Sequence, residues 1–130
     1  MKKQKKVKKR KEKTVSQLTK ELDRLFSLYI RGKYPKECYT CGYKTDKLHA
    51  GHYISRYYKV TRWDENNVRP QCFMCNIWKK GNASIFRANL VRDLGEAIVQ
   101  KLEKSIDQLV RGTQQREHLL AQIAKYDQKY

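Results

Sequence analysis

Apolar spacing divides the chain into three stretches of different character. Val15, Leu18, Leu22, Leu25, Phe26 and Tyr29 recur at three- and four-residue steps, which predicts an amphipathic helix over residues 14–32. Thr14 and Gln17 stand where a capping box would open that helix, and Gly32 where it would end. Pro35 forces extended chain. From residue 36 to about 76, aromatic and β-branched residues mix with Gly and Asn, a pattern of short strands and loops. From about Ser84 the helical period returns. Val91, Leu94, Ile98, Leu102, Ile106 and Leu109 make one apolar stripe, interrupted only by Gly95 and ended by Gly112. Leu119, Leu120, Ile123 and Tyr126 mark a second helix, so residues 84–130 read as a helical hairpin. Such a hairpin either packs on its own core or pairs two chains, which makes it a candidate dimerisation element. The class expected is α+β.

Composition adds two constraints. At 130 residues and 39% hydrophobic, the chain fits one domain whose thin core needs a staple. Lys and Arg number 30 against 13 acids, and the net charge of +17 implies a polyanionic partner, nucleic acid before membrane. Nine of the first thirteen residues are basic, so residues 1–13 read as a disordered arm that scans phosphate or as a solubilising tail. No apolar stretch approaches the roughly 18–20 residues of a membrane span, and the basic start lacks the apolar segment of a secretory signal. The expected setting is cytoplasmic.

In a reducing compartment, four cysteines in two close pairs favour metal ligation over disulfides. Cys38-x2-Cys41 and Cys72-x2-Cys75 are separated by thirty residues and can close one tetrahedral zinc site. A shell of four thiolates leaves no position for water, so that zinc would be structural. An iron–sulfur cluster is the competing assignment, disfavoured by the knuckle-like Gly42.

Between the cysteine pairs lies Leu48-His49-Ala50-Gly51-His52-Tyr53-Ile54-Ser55, which holds two of the three histidines. Fourteen residues separate His52 from Asn67, eight separate Asn67 from Asn76, and Asn76 directly follows the last cysteine. That spacing resembles the His-Asn-His (HNH) nuclease motif in its variant with Asn at the last position. With the four cysteines it resembles the endonuclease VII-type Holliday-junction resolvases of phages. The Ala-Gly-His-Tyr-Ile-Ser-Arg and Asn-Asn-Val-Arg-Pro-Gln-Cys segments resemble the phage NinG (Rap) recombination nucleases. The resemblance covers roughly residues 36–82. It implies a zinc-stapled ββα-metal core over residues 33–83, flanked by the N-terminal helix and the C-terminal hairpin. It also implies a phage enzyme, working in the bacterial host, that cuts branched recombination DNA.

The chemistry fits those residue types. Deprotonating water near neutral pH suits an imidazole, and His52 is the candidate general base. A divalent cation, Mg²⁺ or Mn²⁺, would hold a phosphate oxygen and the leaving 3′-oxygen, with Asn76 and His49 as candidate ligands. Positions three apart on a regular strand face opposite sides, so His49 and His52 share one metal site only if Gly51 permits a bulge or twist. Asp64 and Glu65 are reserve ligands. By resemblance, Asn67 holds the loop that orients His52; otherwise it is a turn residue beside Asn66.

Arg56, Lys59, Arg62 and Arg69 flank this site, and Lys79 and Lys80 follow Asn76 at the expected start of the next helix. They are candidate phosphate contacts, which position DNA without reading bases. Tyr53, Tyr57, Tyr58, Trp63 and Trp78 could stack on unpaired bases or pack internally. Symmetric resolution of a junction calls for two active sites, hence a homodimer. The alternative from another class is a noncatalytic zinc-ribbon DNA-binding or recombination accessory protein, which accounts for the charge and cysteines but does not require His52, Asn67 and Asn76.

Overall fold

The computed structural model describes residues 12–108 and 112–127. Residues 1–11 of the expected basic arm lie outside the described residues, as does Leu109. Among the described residues the fold is α+β: five α-helices, with short 3₁₀ and π turns, and one small antiparallel sheet.

Helix α1 (Val15–Lys33) opens on the expected capping box. The Thr14 hydroxyl accepts from the Gln17 backbone N–H at 3.1 Å, and the Gln17 side chain accepts from the Thr14 N–H at 2.9 Å. Gly32 does not end it; the helix runs to Lys33 because Pro35 holds Tyr34 extended, with φ −104° and ψ 159°. One face of α1 buries Leu18, Leu22, Leu25, Phe26 and Ile30.

The middle of the chain then builds its sheet. Strand β1 (His49–His52) pairs antiparallel with β2 (Val68–Gln71), His49 opposite Gln71 and His52 opposite Val68. A short helix, α2 (Lys59–Arg62), and a 3₁₀ turn at Glu65–Asn67 lie between the strands. Trp63 and Val68 carry this layer onto α1.

The C-terminal third departs from the expected hairpin in two ways. Gly95, at φ +91° and ψ 155°, sits in a region that L side chains rarely enter, and it splits the apolar stripe into α3 (Ala83–Leu94) and α4 (Glu96–Lys104). The change of direction alters which positions face inward: Phe86, Leu90, Val99 and Leu102 are buried, while Ile98 and Ile106 are exposed. Helix α5 (Gly112–Asp127) packs along α1, where Leu119 and Tyr126 complete the main core. The buried face of α5 is therefore taken up within the chain. No described helix is long and apolar enough to cross a membrane.

Candidate active site and metal centre

Cys38, Cys41, Cys72 and Cys75 converge so that their four sulfurs all lie within 4.8 Å of one another. Zinc–sulfur bonds of about 2.3 Å in a tetrahedron require sulfurs roughly 3.8 Å apart. Cys41 Sγ and Cys72 Sγ are 3.7 Å apart, so the set fits a zinc ion, and that distance is too long for a disulfide. The first knuckle turns through Gly42 at φ +76°, with the Cys41 N–H directed at Cys38 Sγ at 3.5 Å. Burial raises the Cys38 thiol, but the Thr40 hydroxyl and nearby backbone outweigh it and bring the pKa down to about 6. Cys41 is pushed up to about 12, first by burial and then by the other three sulfurs, and Cys72 is raised too. The Cys38 thiolate forms readily, while Cys41 and Cys72 resist ionisation until a cation joins them.

Beside this centre is a cleft of about 920 Å³ whose walls include His49, His52 and Asn76. The sheet register is continuous through Gly51, so no bulge brings the histidines together. The cleft runs along β1 instead, lined by residues from Leu48 to Tyr53, and both histidines border it. Gly51 is needed for a different reason: a Cβ there would collide with the Gln71 side chain, whose Nε2 donates to the Gly81 carbonyl at 2.8 Å and to the Thr40 hydroxyl at 3.2 Å. Gln71 thus ties Gly81, on the wall of the cleft, to Thr40 in the first knuckle.

His52 Nε2 lies 2.8 Å from the Arg62 carbonyl oxygen. A carbonyl only accepts, so Nε2 carries the proton and Nδ1 keeps its lone pair. Burial of the ring disfavours its charged form and lowers the pKa to about 4, opposed mainly by the Arg62 carbonyl. The buried ring is thus held neutral at pH 7, a weaker proton acceptor than free imidazole, with Nε2 as the donor to Arg62.

Asn67 fixes the loop that carries this carbonyl. The residue is fully buried; its Oδ1 accepts from the Ile54 N–H at 2.7 Å, and its Nδ2 donates to the carbonyls of Ile54 and Thr61 at 3.0 Å each. Its own carbonyl accepts from Tyr53 N–H at 2.9 Å. Thr61 immediately precedes Arg62, so the Asn67 clamp and the His52 anchor act on consecutive peptides.

Asn76 lies in a five-residue π-helical turn, Met74–Trp78, that continues the second knuckle. Among the described residues its carboxamide has no hydrogen-bond partner, and the exposed His49 ring lies 6.2 Å from the Phe73 ring between centroids. Imidazole and carboxamide donors fit a divalent cation whose remaining positions are taken by water and phosphate. Among the described residues no carboxylate lines the cleft. The two reserve ligands lie elsewhere: Asp64 caps the 3₁₀ turn by accepting from Asn66 N–H, and Glu65 accepts from the hydroxyls of Tyr29 and Tyr126 and pairs with Lys33.

The expected phosphate contacts separate into two groups. Arg56, Lys59, Lys79 and Lys80 are exposed, and Arg56 and Lys80 line the cleft. Lys79 and Lys80 close the π-helical turn rather than begin a helix, because Lys80, Gly81 and Asn82 all take positive φ and delay α3 to Ala83. Arg62 is engaged in structure: its guanidinium forms a two-point pair with Asp23 of α1 and reaches the Arg56 carbonyl. Arg69 is buried, donating to the carbonyls of Glu65 and Val68 and lying over the rings of Tyr34 and Tyr39. Sequence reasoning missed Arg31, which reaches the cleft from the last turn of α1, held by Ser27. Only packing of α1 against β1 reveals it.

The family model described as Bacteriophage Lambda NinG protein matches residues 1–130. Protein ninG of Escherichia phage 933W is 34% identical over 94 residues, which cover 71% of this chain and 45% of that protein. The protein of the same name from Salmonella phage P22 is 37% identical over 68 residues, 51% of this chain and 34% of that one. In Escherichia phage lambda the figures are 33% over 70 residues, 52% and 34%. The matched stretch therefore spans less than half the length of each relative. No solved structure matches the chain. Because the family match runs through the knuckles, the His52 strand and the Asn67 clamp alike, the chain belongs to the phage NinG family.

Proposed function

We propose that this chain is a metal-dependent DNA endonuclease of the HNH type that cuts branched recombination intermediates. The observation that carries the reading is the cleft in which a tautomer-fixed His52 stands with Asn76 and His49 among cationic side chains. His52 Nδ1 takes the proton of the attacking water. The Arg62 carbonyl steadies the ring as it becomes charged, and Asn67 holds the loop in register. Arg31, Arg56 and Lys80 neutralise the phosphate and seat the backbone. His49 and Asn76 would hold a Mg²⁺ or Mn²⁺ ion, which when bound supplies charge stabilisation to the phosphate and the leaving oxygen. The zinc-tethered knuckles keep Asn76 opposite β1, so the zinc acts structurally.

Branched DNA as the substrate comes from the family resemblance, and the excess of basic residues supports a nucleic-acid partner. The test is incubation of the zinc-loaded chain and its His52→Ala variant with end-labelled four-way junction, fork and linear duplex, each with Mg²⁺ or Mn²⁺. Cleavage of the branched substrates by the parent but not the variant, at equal zinc content, is expected. Binding without cleavage of any substrate would mean a noncatalytic zinc-ribbon protein.

A further inference from the structure

The π-helical turn that carries Asn76 also leaves four large apolar side chains in solvent. Phe73, Met74, Ile77 and Trp78 are 52, 54, 51 and 71% exposed. They follow closely in sequence, Phe73 and Met74 on a groove with Tyr43 and Ile77 on the cleft beside Asn76. A cluster of this kind on a small protein marks a contact surface.

The turn cannot fold in to hide them. Cys72 and Cys75 tether it to the zinc centre. Backbone bonds from Asn76 to Cys72, Lys79 to Met74 and Gly81 to Cys75, each 2.9 Å, lock it at both ends. The patch also continues the cleft: Ile77 lines it beside Asn76 and Lys80, and the Phe73 ring lies against His49.

Charge identifies the occupant. Lys79 and Lys80 follow the patch in sequence, and Lys47 lines the groove that Phe73 and Met74 form with Tyr43. With a net charge of +17, the surface suits a polyanion that also offers flat apolar faces. Paired DNA keeps those faces stacked inside the helix; unpaired DNA presents them. We propose that the Phe73–Trp78 turn is a binding site for the unpaired nucleobases of single-stranded DNA, placed so that the strand it holds brings a branch point to His52. The location beside the catalytic groups rests on the nuclease reading; the binding itself does not.

The two tryptophans make the site directly readable. Trp63 is 7% exposed with its indole N–H on Asp23, whereas Trp78 is open to solvent. In a Trp63→Phe background the tryptophan emission comes from Trp78 alone. Short oligothymidylate, added to the zinc-loaded full chain with Ca²⁺ in place of Mg²⁺, should quench that emission to saturation, while a paired hairpin should not. Trp78→Ala should weaken oligothymidylate binding about tenfold and leave hairpin affinity within about twofold, with Trp78→Phe restoring most of the loss. Equal zinc content in all variants confirms the fold.

Absence of quenching, or equal losses on both DNAs, overturns the proposal. So does Trp78→Ala leaving DNA binding intact while dissociating an oligomer, which would make the patch a protein interface. Cleavage is measured separately. A chain that binds oligothymidylate through Trp78 but never cuts DNA retains this site and loses the nuclease reading; one that cuts without any dependence on Trp78 does the reverse.

Discussion

Asn67 grips both polar groups of one peptide residue, accepting from the Ile54 N–H at 2.7 Å and donating to the Ile54 carbonyl at 3.0 Å. Its second amide hydrogen reaches the Thr61 carbonyl, so one fully buried carboxamide closes both ends of the loop before His52's anchor. Asn67→Ala deprives the part-buried Ile54 N–H and carbonyl of this partner and removes one of the donors to the Thr61 carbonyl, which keeps the Asp64 N–H at 3.2 Å. The expected cost is about 2–4 kcal/mol of stability, read as a lowered urea midpoint. Asn67→Asp should be no milder, because an acceptor then faces two carbonyls. Parent-like stability in both variants would contradict the clamp.

His52 sets a pH dependence whose sign follows from burial. Its folded-state pKa of about 4 lies below the ordinary value of 6.5, so between those limits the unfolded chain binds the extra proton. The His52 contribution is complete above pH 6.5 and is lost as the pH falls toward 4, by about 3 kcal/mol across the interval. Cysteine protonation and zinc loss also act at low pH. The measurement is therefore the difference between parent and His52→Gln in urea midpoint at pH 7.5, 6 and 5. The parent should lose more than the variant; parallel curves would show that the ring is not buried as a neutral base.

The zinc centre should control folding as a whole. Binding at four thiolates contributes on the order of 10–16 kcal/mol, more than a small core supplies by itself. Chelation should release about one zinc per chain and abolish the cooperative thermal transition. Cys72→Ser should do the same, and Co²⁺ substitution should give the visible absorption of tetrahedral thiolate ligation. An iron-containing, brown protein would replace zinc in this scheme.

What could be read from the sequence was local. The capping box, the tetrad of cysteines and the His52–Asn67–Asn76 spacing each rest on residues whose relation is set by short-range geometry or by matching knuckles. Gly95 shows the limit. A glycine inside an apolar period is compatible with a continuous helix, and only the backbone at φ +91° shows the break. The cations show another limit, since Arg56 and Arg62 are alike in sequence. Which one faces solvent depends on Asp23, far away on α1, and Arg69 is buried with Tyr34 from the end of α1 and Tyr39 from the knuckle loop.

That difference gives a paired prediction for Arg62 and Lys80. Arg62 shares Asp23 with the Trp63 indole, and both members of the ion pair are only partly exposed, at 18 and 25% of their side chains. Arg62→Ala leaves Asp23 with one partner and loosens the carbonyl that holds His52. Solvent screens part of the loss, so about 1–3 kcal/mol of stability is expected. Its effect on DNA affinity, measured by salt titration on one duplex, should keep the parent's slope. Lys80→Ala should leave the urea midpoint unchanged, weaken binding, and reduce the slope of log affinity against log salt by about one. If Arg62→Ala lowers the salt slope at unchanged stability, Arg62 contacts phosphate and the Asp23 pair is not what holds it.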